Sequence, residues 1–346
     1  MGRRGDTHRL MRWLWTSRRP EARLARLALL PASALYRGAM AARASGYRRG
    51  WLTVQDFPAP CVAVGNLTLG GSGKSAVAAW IAQHYLDRGV RAGLLVPGGT
   101  SADVLVQRHA VPAAIVLGDR DAVAGGERAV AEGAQVLVLE DAYQRLDLHR
   151  DLNLAVVAAE TTRAVRWALP AGPWREGWAA LRRADGVIVT RKRAPLETAL
   201  LLAGEIEREI RGPVAVAYLG LRHLEGLVSG TRQPAGVLAG KRVVAASGIA
   251  DPDAFVAQTK ATGAAVQVAT WRDQADYRDE DVAWLAHAAR RADHVVITEK
   301  DAVKLRDRWP NRVPEPLVAV LELAWEGGGE AMASALDAVV TPVDRL

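Results

Sequence analysis

The run from Cys61 to Ser75, CVAVGNLTLGGSGKS, leaves a chain little freedom. An apolar strand breaks into glycines and ends at a Lys-Ser pair just ahead of a helical stretch. Phosphate needs many short-range donors, and glycines let backbone N–H groups approach it closely, so this order of strand, turn and helix is the pattern of a phosphate cradle. Asn66, Thr68, Gly70, Gly71, Ser72 and Gly73 form the candidate cradle. Lys74 would reach the terminal phosphates, Ser75 would offer its hydroxyl to Mg2+, and the helix from Ala76 to about Asp87 would add its dipole. One position departs from the general pattern G-x-x-x-x-G-K-[ST]: Thr68 stands where the first glycine belongs.

A strand and helix joined this way demand further strands beside them. Short apolar runs duly alternate with helical stretches, which predicts a parallel sheet with helices on both faces. The strands read Ala92 to Val96, Ala113 to Gly118, Gln135 to Glu140, Asn153 to Ala159 and Gly186 to Thr190, with helical runs at Arg120 to Glu132 and Arg175 to Ala184. QVLVLED, Gln135 to Asp141, is a buried strand ending in two carboxylates, where a P-loop enzyme needs an acid to hold Mg2+ or its water. Asp141 is the leading metal partner, with Glu140 beside it. From Pro213 to about Pro234 two strand-like runs, VAVAYLGL and HLEGLVSG, follow without a helix between them and predict a β-ribbon linker. A second, smaller α/β unit comes next. Its strands read Arg242 to Ser247, Ala265 to Trp271, His294 to Thr298 and Pro316 to Ala324, and Glu330 to Val340 is a last helix. The expected division is a basic amphipathic segment over 1–50 belonging to the first domain, a P-loop domain over 51–212, a linker over 213–236, a second domain over 237–326 and a C-terminal helix over 327–346.

The charge is unevenly placed. Residues 1–50 hold twelve arginines against Asp6 and Glu21, a balance of +10 within a whole-chain charge of +7, so the rest of the chain is net acidic. That argues against a basic face for nucleic acid. Within the segment, Leu24, Leu27 and Leu30 lie along one side, Pro31 restarts the chain, and Leu35, Tyr36 and Met40 follow among Arg37 and Arg43. Charge and proline interrupt it too often for a bilayer span, so it suits a helix lying on an anionic membrane surface or one packed on its own domain. Several of the eleven tryptophans (Trp13, Trp15, Trp51, Trp174, Trp178) fall near arginines, as at a headgroup interface. No cleavable signal peptide fits. A single cysteine, Cys61, excludes an internal disulfide framework, and the seven histidines show no metal-ligand spacing. No pattern specifies an oligomeric state.

With these residues laid out, the chain resembles the tetraacyldisaccharide 4′-kinases, the lipid A kinases of Gram-negative bacteria, from about Leu29 to Val339. LLPASALY, VAVGNLTLGGSGKS, EDAYQRLDLHRDLNLAVV, LPAGPWRE, SGIADPDAF and TEKDAVKL carry the likeness, the last being the most distinctive. The resemblance implies ATP- and Mg2+-dependent phosphorylation of a lipid disaccharide by a peripheral protein at the cytoplasmic face of the inner membrane. It implies roles for Lys74 and Ser75 at the ATP phosphates and metal, Asp141 at Mg2+, Gln144 in the nucleotide-side loop, and Arg175 with Glu176 at the site between the domains. Thr68 matches the family's own variation. Elsewhere the chain departs from the family. VPGGTSADVLVQ replaces the Ser-Arg-Gly-Tyr-Gly turn and the following Gly-Asp-Glu-Pro segment, leaving Asp103 as the nearby carboxylate. WRDQADY puts Gln274 and Ala275 where the family has histidines, with Asp273 or Asp276 as substitute bases. Glu140 replaces one aspartate of a pair, and Ala142 the glycine after it. Two functions therefore remain: a working lipid A 4′-kinase, or a nucleotide-binding homologue that has lost phosphoryl transfer.

Overall fold

The computed structural model describes residues 10–11, 13–163, 165–273 and 275–341; Gln274 and the first nine residues of the basic segment lie outside them. The chain divides into two compact units, one holding the described residues up to Tyr218 together with the segment from Trp325, the other built on Leu219–Ala324.

In the first unit, β1 (Cys61–Asn66), β2 (Ala92–Leu95), β3 (Ile115–Leu117), β4 (Val136–Glu140), β5 (Leu152–Ala158), β6 (Gly186–Arg191) and the start of β7 (Val214–Gly226) lie in the order β3-β2-β4-β1-β5-β6-β7, all parallel. β1 sits between β4 and β5, with Val64 opposite Glu140 on one side and Gly65 opposite Ala155 on the other. Every residue of β1, β4 and β5 is buried, the condition of parallel strands covered on both faces, which is why they read as unbroken apolar runs. The strand order reverses at β1, and in open α/β sheets ligands bind beyond the carboxyl ends of the strands at such a point.

Among the helices that accompany this sheet before β7 are α1 (Pro20–Arg48), α2 (Lys74–Asp87), α3 (Ser101–Ala110), α4 (Ala122–Ala131) and α5 (Leu196–Glu207). α1 runs straight through Pro31 instead of restarting there; the proline removes one backbone donor, and α1 carries that loss within its 29 residues. The helix expected over Arg175 to Ala184 shrinks to a 3-10 turn at Trp178–Arg183, because the backbone just before it is engaged by the glycine loop.

In the second unit, β9 (Arg242–Ser247), β10 (Ala265–Thr270), β11 (His294–Thr298) and β12 (Leu317–Gly327) lie in the order β10-β9-β11-β12, again parallel. α6 (Pro252–Ala261), α7 (Asp279–Ala289) and α8 (Glu299–Leu305) join them. The expected ribbon is a single 13-residue strand, β7, whose far end pairs antiparallel with β8 (Arg232–Pro234). TEKDAVKL opens α8 as a knot of bonds. Thr298 Oγ1 bonds Asp301 Oδ2 at 2.6 Å, and the buried Asp301 carboxylate accepts the Gly248 N–H at 3.1 Å. Lys304 Nζ donates to the Ala275 carbonyl at 2.9 Å. The motif thus ties the SGIADP loop and the loop after β10 to one helix start.

The chain passes between the units inside β7 and again inside β12. α9 (Gly329–Val340) then rejoins the first unit against α2. Tyr85 OH donates to the Leu336 carbonyl at 2.9 Å, His84 Nε2 meets Asp337 Oδ1 at 2.9 Å, and Trp80 packs edge-on against Trp325.

Candidate active site

The glycine loop leaves the carboxyl end of β1 and is gripped by the LPAGPWRE segment. Leu69 N–H donates to the Pro173 carbonyl at 2.8 Å, Arg175 N–H donates to the Leu67 carbonyl at 2.7 Å, and Thr68 bridges Trp174. This pairing explains Thr68: the position is extended and buried, with no need of glycine. Gly73 does need its freedom, since it caps α2 at φ 85°. Gly65 is needed for a different reason. A Cβ there would meet the Tyr143 N and Cβ at 2.6 and 2.7 Å, so only glycine lets the loop after β4 cross β1.

The acidic strand end is brought onto the start of α2. Ser75 Oγ donates to Glu140 Oε1, and Gln107 Nε2 bonds the other Glu140 oxygen and the Ser75 carbonyl, the latter at 3.0 Å. Asp141 takes a left-handed backbone, φ 56°, uncommon for a residue with a Cβ though tolerated by aspartate. Its carboxylate stands between two cations, with Lys74 Nζ at 3.8 Å and Arg175 Nη1 at 3.2 Å. Arg175 also donates to Gln144 Oε1 at 3.3 Å. Gln144 Nε2 in turn donates to the Asn66 carbonyl at 2.8 Å, and Asn66 Nδ2 to the Thr68 carbonyl at 2.7 Å. Two sets of bonds therefore flank the loop Gly70, Gly71, Ser72 and Gly73: Ser75, Glu140 and Gln107 form one, and Asp141, Arg175, Gln144 and Asn66 form the other, with Lys74 ion-paired to Asp141.

Other residues named from the sequence stand elsewhere. The Glu176 carboxylate is turned into a bidentate pair with Arg183, at 2.6 and 2.8 Å, and Arg183 also lies over the Tyr143 ring. Asp103 caps α3, accepting from Thr100 Oγ1 at 2.8 Å and Thr100 N–H at 3.2 Å in a reciprocal capping box. Asp273 belongs to the second unit, half-buried in the loop after β10. Sequence reasoning missed Gln107, a buried amide on the inner face of α3, and Arg43, whose Nη1 donates to the Gln144 carbonyl at 3.0 Å from α1. A glutamine on the apolar side of a helix was the available signal for the first. Nothing local marked the second.

A parallel sheet, a glycine turn capping a helix with Lys-Ser, and acids at the end of the neighbouring strand define a P-loop phosphotransferase. The chain matches the family model described as Tetraacyldisaccharide-1-P 4′-kinase over residues 25–103 and 102–341, the two segments meeting in the first turn of α3. It is 34% identical over 311 residues to the tetraacyldisaccharide 4′-kinase of Geobacter metallireducens, covering 82% of this chain and 88% of the relative. Against the enzyme of the same description from Anaeromyxobacter sp. (strain K) it is 32% identical over 367 residues, 94% of each chain. The solved LpxK of Aquifex aeolicus, described in complex with ATP, shares the fold, with a TM-score of 0.70 at 22% identity over 92% of this chain and 100% of that one. The chain belongs to the tetraacyldisaccharide 4′-kinase family, and it is a kinase.

Proposed function

We propose that this chain transfers the γ-phosphate of ATP, with Mg2+, to the 4′-hydroxyl of a tetraacyldisaccharide 1-phosphate. The observation that carries the proposal is the clustering of Lys74, Ser75, Glu140, Asp141 and Arg175 at the N-terminus of α2. Family membership supplies the acceptor.

The donor set suits the metal. A hydroxyl and two carboxylates are hard oxygen ligands, and Mg2+ is commonly held by one or two carboxylates with phosphate oxygens and water completing its shell. No larger cage is required, and among the described residues no group of three or more His, Cys, Asp or Glu stands where it could hold a metal. Ser72 Oγ and Asn66 Oδ1 are buried without a protein partner beside the loop, polar atoms that a bound phosphate or its waters would satisfy. Ser75, Glu140 and Asp141 would hold Mg2+, which would supply charge neutralisation for phosphoryl transfer.

The protein's own part is positioning and charge. Lys74 and Arg175 flank Asp141, so positive charge is concentrated where the transferring group becomes most negative. Gln144 and Asn66 brace the loop that carries them. Asp103 is committed to its cap, so we assign it to holding α3 and leave Asp141 as the carboxylate of this unit that meets the reacting groups.

We place the reaction at the inner-membrane surface. Leu24, Leu27 and Leu35 on α1 are 66%, 52% and 78% exposed, with Arg23 and Arg37 exposed beside them, an apolar stripe with basic flanks. Among the described residues no helix is long and apolar enough to cross a membrane. Pelleting with anionic vesicles tests this: Leu24→Asp with Leu27→Asp should release the protein to the supernatant, and unchanged pelleting would refute it. Substitution is preferable to deletion here, because α1 also holds the first unit together through Ser33, whose Oγ bonds the Ala168 carbonyl and the Ala171 N–H.

Transfer itself is tested by incubating the protein with γ-labelled ATP, Mg2+ and tetraacyldisaccharide 1-phosphate in detergent micelles, with Lys74→Ala as the control. Labelled lipid well above that control is expected. Label no higher than the control, with ATP still bound, would leave instead a nucleotide-binding homologue that has lost transfer.

A further inference from the structure

β6 ends in Thr190-Arg191 with Lys192 next along the chain, and the Thr190 and Lys192 side chains reach the glycine loop. Thr190 Oγ1, on a residue 1% exposed, donates to the Ser72 carbonyl at 2.7 Å, and Lys192 Nζ donates to the Gly71 carbonyl at 2.7 Å. Two successive carbonyls of the turn are thus occupied from one strand end. In a planar trans peptide the C=O and the following N–H point opposite ways, so fixing these oxygens also fixes the N–H groups of Ser72 and Gly73. The Ser72 N–H turns to the Gly70 carbonyl at 2.9 Å and closes the turn. The Gly73 N–H is aimed away from Thr190. Gly73 sits at φ 85°, and a glycine there rotates cheaply when nothing restrains the peptide before it.

The strand end that supplies these donors is itself braced. Glu160, in the turn after β5, accepts the N–H groups of Lys192 at 2.8 Å, Arg193 at 2.9 Å and Ala194 at 3.1 Å. Burial opposes ionisation of this carboxyl, but the three backbone donors outweigh it and hold Glu160 below the ordinary carboxylate range. Arg191 points the other way, pairing with both oxygens of Glu326 and lying 4.5 Å from the Tyr218 ring centroid. A lysine spent on a carbonyl also sets a full positive charge beside a loop that must accept a polyanion.

We propose that Thr190 and Lys192 are positioning residues for the kinase reaction, locking two peptide planes of the glycine loop so that the Ser72 N–H closes the turn and the Gly73 N–H faces the nucleotide phosphates, with Glu160 as their anchor. The proposal rests on the nucleotide assignment above. It concerns ATP alone, and the lipid acceptor should not sense the change.

The test compares full-length wild type with Lys192→Met, Thr190→Val and the conservative Thr190→Ser, measuring direct binding of a fluorescent ATP analogue and steady-state kinetics in both substrates. Thermal unfolding without nucleotide first establishes that each variant is folded. Loss of one charge-assisted bond should weaken ATP binding about tenfold in Lys192→Met. KM for ATP should rise by a similar factor while KM for the lipid stays put, and Thr190→Ser should restore what Thr190→Val loses. Unchanged ATP affinity in both Lys192→Met and Thr190→Val, with wild type binding normally, overturns the proposal and leaves the nucleotide assignment standing. A wild type that binds no ATP ends both. A Thr190→Ser that behaves like Thr190→Val overturns the hydroxyl's role.

Discussion

The carboxyl ends of the strands in the two units are built alike and used differently. In the first unit the acids after β4 meet a threonine- and glycine-containing loop, two cations and a serine, and the Asp141 side chain keeps 37% of its surface open. In the second unit Asp301 stands at a similar place, just past β11, but is 1% exposed and saturated by Gly248 and Thr298. One acid is held between charges with room for a ligand, while the other is spent on closing loops. Distinctiveness in sequence and chemistry at the site are therefore separate properties: TEKDAVKL is the most recognisable motif, yet its aspartate serves the fold.

Substitutions can break this contrast. The largest expected effect is Lys74→Ala, which removes the cation proposed to meet the phosphates and should lower kcat/KM about a thousandfold, read by labelled lipid formation, with little change in melting. Asp141→Asn keeps the shape and loses the charge; kcat should fall about a hundredfold. Asp301→Ala should do the reverse. It leaves the buried Gly248 N–H without an acceptor, and denaturant unfolding should show a loss of about 2 kcal/mol, with KM for ATP near that of wild type.

A smaller effect concerns pH. Glu299, also in TEKDAVKL, has part of its surface in solvent but a deeply placed carboxyl. Burial pushes it up to about 7; the Leu321 backbone bond works against that and the Glu225 charge adds to it. A carboxyl raised in the folded state contributes stability that is complete below its unfolded value and lost as pH rises through about 7. Glu299→Gln should flatten that dependence and stabilise the protein above pH 7 by on the order of 1–2 kcal/mol, measured by unfolding across pH. Smallest of all is Asp103→Asn. If Asp103 is a helix cap, kcat should change by less than about threefold, whereas loss of a general base costs about a hundredfold or more.

The parts legible in the sequence were those set by local pattern. β1 and β4 showed as apolar runs because both faces are covered, and Lys74, Ser75 and Asp141 showed because their spacing to a strand and a helix start is fixed. What stayed hidden acts across long stretches of chain through backbone atoms. Arg43 grips the Gln144 carbonyl, and Thr190 and Lys192 grip carbonyls of the glycine loop, bonds to which the acceptor's side chain adds no signal. The extended run before Trp178 reads as helix in the sequence because its pairing partners lie far back at Leu67 and Leu69. The left-handed backbone of Asp141 is likewise a product of the turn that carries Tyr143 over Gly65.

The central claim is that the acid beside the glycine loop performs chemistry while its counterpart in the second unit performs none. Measuring labelled phosphate transfer and unfolding free energy on Asp141→Asn and Asp301→Ala in parallel tests it most directly. The expected result is crossed: Asp141→Asn loses transfer and keeps stability, and Asp301→Ala loses stability and keeps transfer per folded molecule. Transfer undiminished in Asp141→Asn, or abolished in folded Asp301→Ala, would contradict the account.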